Sequence, residues 1–171
     1  MKLNLGVEYA KWHNWRRLVY GARHPAARQR IKRWAKWGVT HTAEIHYSEG
    51  AARSEWLHKP KGTLPMTTDC SGFVTACYKW SGLPDPNGLS YKQVGYTGTL
   101  LQHAPHVFTD KAKAKVGDLI VYGPGTGEHV AVIVGPGADP LTVSHGDEAG
   151  PELVRVSQDG RMPQRILRYL P

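Results

Sequence analysis

Cysteine and histidine are the two residue types here whose placement suggests covalent chemistry. Cys70 follows Thr67-Thr68-Asp69, a run with N-cap character, and so should open a helix. At a helix start the free backbone N–H groups and the helix dipole favour a thiolate. The thiolate is the form that attacks a carbonyl, and the same N–H groups can hold a tetrahedral oxyanion. Such a nucleophile needs a base. His129 heads the apolar run Val130–Val134 after a Gly-rich turn, where its imidazole can be aimed at the helix start. His145 ends the next apolar run. If the two runs form a hairpin, His145 lies beside His129 and orients its ring, which gives a nucleophile, a base and an orienter. Cys77 is seven residues beyond Cys70, about 10 Å along a helix axis. That exceeds the roughly 7 Å between the Cα atoms of a disulfide, so both thiols are expected to be free and Cys77 to be core. No C-x2-C pair supports a zinc site, and neither metal nor cofactor is expected.

The elements that must position these residues are legible in outline. Residues 3–37 show helical periodicity, interrupted near Pro25, which is expected to sit in the first turn of a second helix. Gly38 is a plausible stop for that helix. Residues 38–68 read as a wrapping loop. From Cys70 to Trp80, Cys70, Phe73, Val74, Cys77 and Tyr78 fall on one helical face. A Gly/Pro-rich loop follows, then one or two helical turns at Thr99–His103. Beyond Val116 the pattern changes to strands: Asp118–Tyr122, His129–Val134, Leu141–His145, and the candidates Glu152–Ser157 and Arg165–Leu170. Helices followed by strands joined through short turns imply an α+β fold with an antiparallel sheet of about five strands.

Charge divides the chain. Residues 1–40 hold ten Lys/Arg against one acid, a balance of +9; residues 41–171 hold twelve against thirteen, a balance of −1. The expected organisation is therefore a basic helical segment, 1–40, attached to a near-neutral catalytic domain, 41–171. The segment suits an anionic partner such as wall polymer. It carries no recognised nucleic-acid motif, and none is expected to bind. No apolar run approaches the roughly 18 residues of a membrane span. The first eight residues do not read as a Sec signal, so synthesis in the cytoplasm is expected.

Three stretches together resemble a known family: Asp69-Cys70-Ser71-Gly72-Phe73-Val74, Val116-Gly117-Asp118-Leu119-Ile120-Val121-Tyr122, and His129-Val130-Ala131-Val132-Ile133-Val134-Gly135. They are similar to the NlpC-like cell-wall peptidases, in the same Cys-then-His order. The resemblance implies a papain-like fold, with the nucleophile helix packed on the sheet. It implies a Cys70–His129–His145 triad that hydrolyses peptidoglycan stem peptides through a thioester acyl-enzyme. The bond most often cut in that family joins D-glutamate to the diamino acid. The residues flanking the nucleophile, Asp69 and Ser71, become candidates for substrate contact, with Asp69 capping the helix or holding a substrate amine. Tyr47 and Tyr96 stand in stretches that look like walls of such a cleft. The surrounding loops resemble phage-encoded members, so the expected protein is an endolysin-like monomer that reaches the wall after release or dedicated export. The alternatives are an exported antibacterial toxin amidase of the same fold, a Cys-His acyltransferase, and a wall-binding module with relic residues. Permuted lipid-acyl relatives place His before Cys, which counts against the acyltransferase.

Overall fold

The computed structural model describes residues 24–146 and 149–171. The helical periodicity read over residues 3–21 lies outside them. Helix α1 spans His24–Thr40 and has Pro25 in its first turn, where a missing N–H costs nothing. Its inward stripe of Ala27, Arg28, Ile31, Ala35 and Gly38 is buried. Gly38 does not end the helix. It lets α1 approach the helix carrying Cys70, because a Cβ there would lie 2.5 Å from the Phe73 ring.

The stretch expected to be a loop holds more structure. Strands β1 (Ile45–Tyr47) and β2 (Met66–Thr68) pair in parallel, and a 3-10 helix at Ala51–His58 bridges them. Helix α2 (Cys70–Trp80) follows β2 directly. The expected apolar face is only part of its burial: every residue of α2 except Lys79 is buried. A helix apolar all round belongs between layers. Here α1 and the Ala51–His58 segment cover the sides that the sheet does not. Each large side chain such as Phe73 or Tyr78 contributes about 1.5–3 kcal/mol on full burial.

Helix α3 (Thr97–His103) precedes a six-stranded sheet. Its strands are β3 (His106–Phe108), β4 (Leu119–Tyr122), β5 (His129–Gly135), β6 (Leu141–Ser144), β7 (Glu152–Arg155) and β8 (Gln164–Arg168). The order is β3-β8-β4-β5-β6-β7, antiparallel throughout. Five of the six match the expected runs; the extra one, β3, is a three-residue edge strand too short to show alternation. Val130, Val132 and Val134 face the helices and join one core with Phe73, Val74 and Ile31. Ala131 and Ile133 face the other way, into a smaller cluster with Ile120, Tyr122, Val156 and Ile166.

Asp118, from the Gly117-Asp118-Leu119 motif, ties these layers together. It is buried between Arg28 of α1 (2.9 Å) and Arg168 of β8 (2.8 Å). Arg28 also donates to the carbonyls of Val116, Leu170 and Pro171, so it fastens α1 to the chain end. The segment 24–40 thus supplies both apolar and ionic contacts to the core formed by the rest.

Candidate active site

Asp69 has extended backbone and caps α2, accepting the Gly72 N–H at 2.6 Å. Gly72 is required by proximity, since a Cβ would collide with the Thr68 hydroxyl. This geometry holds Cys70 in the first turn, buried to 7% exposure. The backbone N–H groups of Val130 and Ser71 point at the sulfur and favour its thiolate, but they are outweighed. Burial foremost, then the negative charge of Asp69, push the Cys70 thiol up to about 12. At this thiol, burial and Asp69 thus oppose the help that the helix start gives a thiolate.

Val130 is the residue after His129, so Cys70 Sγ sits at the His129–Val130 peptide. His129 pairs across the sheet with Tyr122, and their rings stack at 5.8 Å and 27°. Its Nε2 is hydrogen-bonded to Ser144 Oγ at 2.8 Å. Arg161 lies over the Tyr122 ring and forms an ion pair with Asp159 at 2.5 Å. Charge interactions link Arg161 to Cys70 and Asp159 to His129, so this pair belongs to the surroundings of the site.

His145 follows β6 immediately. The register Val132↔Val143 and Ile133↔Thr142 puts Ser144 on the His129 side of the sheet and turns His145 towards the helices. There His145 is buried, edge-on to Tyr47 at 5.4 Å and tilted against Phe73 at 5.7 Å. The structure thus sets Cys70 at the peptide that follows His129, seats Ser144 against the His129 ring, and sets His145 behind Tyr47. Sequence reasoning missed Ser144, although alternation from a known register would have found it.

Arg53 was also missed, because one arginine in a polar loop carries no pattern. Its Nε pairs with Asp69 Oδ2 at 2.6 Å, and its Nη2 donates to Ser71 Oγ at 2.9 Å and to the Gly95 carbonyl at 2.6 Å. Ser71 in turn donates to Asp69 Oδ1 at 3.0 Å. Beyond Arg53 opens a cleft of about 590 Å³, lined by Glu49, Arg53, Val94, Gly95, Tyr96 and Thr99. Tyr96 is exposed on its rim. Burial foremost, then the hydrogen bond its hydroxyl donates to Glu49 at 2.9 Å, holds the Tyr47 pKa above the usual phenol range. Of the residues expected at the substrate, Asp69, Ser71 and Tyr47 adjoin this cleft through Arg53 and Glu49, and Tyr96 lines it.

The NlpC/P60 family profile matches residues 54–149, more than half of the chain and the whole stretch from Arg53's neighbour Ser54 through both histidines. This chain belongs to the NlpC/P60 family. Family members are in general cell-wall peptidoglycan hydrolases. Among solved structures, a cysteine-mutated form of the resuscitation promoting factor interacting protein RipA superposes with a TM-score of 0.57 at 21% identity. The match covers 87% of this chain and 65% of that one, so the chain spans about two thirds of the RipA structure. The P60 domain of a Mycobacterium avium paratuberculosis antigen gives 0.53 at 18% identity, over 89% of this chain and 99% of that one. RipD from Mycobacterium tuberculosis, described as a non-catalytic NlpC/p60 domain protein adapted to peptidoglycan binding, gives 0.48 at 20%, over 80% and 98%. The likeness to the RipA structure and to the P60 domain establishes the shared fold. No curated protein sequence matches the chain. Among the described residues no helix is long and apolar enough to cross a membrane.

Proposed function

We propose that this NlpC/P60 protein is a cysteine peptidase that hydrolyses an amide bond in the stem peptide of peptidoglycan, with Cys70 as nucleophile and His129 as base. The observation that carries this reading is the Cys70 sulfur at the start of a buried helix, facing the backbone N–H of Val130, the residue next to His129. Because burial and Asp69 favour the thiol over the thiolate, attack is coupled to proton transfer. Sγ bonds to the carbonyl carbon as its proton passes to the imidazole. The oxyanion is assigned to the Cys70 backbone N–H, since Gly72 N–H is held by Asp69 Oδ1 and Phe73 N–H by Asp69 O. The C–N bond then breaks, the amine leaves with the imidazolium proton, and a thioester remains. Water, deprotonated by the same imidazole, hydrolyses it to a carboxylate and restores the thiol.

The bond between D-glutamate and the diamino acid is the favoured target, by resemblance to the family. An endolysin-like role after release, or delivery as an exported toxin, suits a wall substrate. The third catalytic place is assigned to His145 by resemblance to the family. The test is release of new amines from purified peptidoglycan, with mass spectrometry of the products. Cys70→Ala should abolish release while melting at the same temperature; a fully active Cys70→Ala would sink the mechanism.

A further inference from the structure

In the proposed mechanism the acyl part of the substrate stays on Cys70, whose neighbours Asp69 and Ser71 are held by Arg53. The amine departs with the imidazole proton, so the residue that carries it lies at His129. There the Tyr122 ring stacks on the imidazole, and the Arg161 guanidinium lies over that same Tyr122 ring, 5.8 Å from its centroid. Arg161 and Met162 are both exposed. The segment that presents them is tied to the sheet. The Gly123 N–H donates to the Pro163 carbonyl at 3.0 Å, and the side chain of Gln164, the β8 residue opposite Tyr122, donates to the Asp159 carbonyl at 3.0 Å.

Asp159 grips one edge of the guanidinium. Its Oδ1 accepts from Arg161 Nε at 3.0 Å and its Oδ2 from Nη2 at 2.5 Å. A guanidinium carries five N–H donors in a planar fork. The Nη1 end of this one has no partner among the described residues. Glu128, exposed in the turn before His129, acts on Arg161 through its charge but forms no ion pair with it. A fork fixed at one edge and open at the other fits a carboxylate, which takes parallel N–H bonds from an arginine. We infer that Arg161 is a specificity-determining residue that holds a free carboxylate on the amine side of the scissile bond, so that this chain prefers acid forms of the peptide to amidated ones. This rests on the proposed peptidase reading. Asp159 is the residue that orients the fork. Two carboxylates of a stem peptide qualify: the second carboxylate of a dicarboxylic diamino acid, and that of the peptide's own end.

The test is turnover by the full chain of three soluble muropeptides: one with both carboxylates free, one amidated at the diamino acid, one amidated at the peptide end. The wild type should cut one of the two amides about tenfold less well in kcat/KM than the free acid, the size of one charge-assisted hydrogen bond at an exposed site. Which amide suffers identifies the carboxylate. Arg161→Gln should cut all three within about twofold of one another. The preference is a ratio taken within one variant, so any loss of folded protein cancels. Equal rates in the wild type, or a tenfold preference kept by Arg161→Gln, overturn the inference and leave the peptidase reading standing. Calorimetric binding of the same peptides to Cys70→Ala separates the two ideas. If the wild type cuts nothing, yet Cys70→Ala binds the acid about tenfold tighter than the amide and loses that preference on adding Arg161→Gln, the peptidase reading fails and the carboxylate site stands. Without that preference, the site fails as well.

Discussion

Replacing Asp118 by asparagine should strip this protein of much of its stability while barely touching its chemistry. The Asp118 carboxylate is 1% exposed. Its Oδ1 accepts from Arg28 at 2.9 Å; its Oδ2 accepts from Arg168 Nη2 at 2.8 Å and from the Lys115 N–H at 2.9 Å. The side chains of Arg28 and Arg168 are themselves only 9% and 17% exposed. Asp118→Asn keeps the shape, removes the charge, and turns an NH2 towards a guanidinium. Breaking a buried pair in this way costs about 3–5 kcal/mol. Arg28 keeps three carbonyl partners, which favours the lower end of that range. Against a total stability of about 5–15 kcal/mol, the loss is large. At roughly 2–4 °C per kcal/mol it lowers the melting temperature by about 6–20 °C. Urea unfolding should show a lower midpoint at unchanged slope. Asp118 adjoins the end of β4 remote from Tyr122 and His129, four residues or roughly 13 Å away. Turnover per folded molecule at 15 °C should therefore stay within about twofold. A stability change below about 1 kcal/mol, or a collapse of turnover in the folded variant, would refute the view of Asp118 as a staple between layers.

Two further outcomes are expected. Burial raises Cys70 to about 12 and Cys77 beyond it, so both remain thiols in the folded protein where the unfolded chain would ionise them. Their contribution is complete below about pH 9 and is lost as pH rises towards 12, at about 1.4 kcal/mol per unit for each thiol. The urea midpoint should fall between pH 8 and 10.5, less steeply in Cys77→Ala; a flat midpoint would contradict this. A chain beginning at His24 should fold, whereas one beginning at Val39 loses the buried Ala27, Arg28, Ile31 and Ala35 and should not. Cooperative melting of the shorter chain at the parent temperature would show that α1 is dispensable.

Much of the site could be read before any coordinates. The Thr67-Thr68-Asp69 cap ahead of Cys70 is a local signal, because a carboxylate three residues from an N–H needs no distant partner. The strands of β4, β5, β6 and β8 announce themselves as β-branched runs between Gly/Pro turns. The parallel β1–β2 pair and β3 were not visible, being three residues each and held by partners remote in sequence. Gly38 looked like a stop because glycine favours helix ends; its actual neighbour, Phe73, is 35 residues away. One of the ten basic residues in the first forty, Arg28, is spent inside the core, which no charge count reveals.

The sequence alone determined the candidate nucleophile and candidate base, their order and the α+β layering, since these depend on local capping, on period-two and helical patterning, and on residue chemistry. The tertiary structure decided that burial and Asp69 work against the helix start at the Cys70 thiol. It decided that Arg53 closes on Asp69 and Ser71, because the Ala51–His58 segment folds back over α2. It also decided that the Ser144 hydroxyl meets the His129 ring. Alternation makes that choice turn on a single residue of register, and register is fixed by a bulge and a turn whose geometry exists only once β5 and β6 have paired.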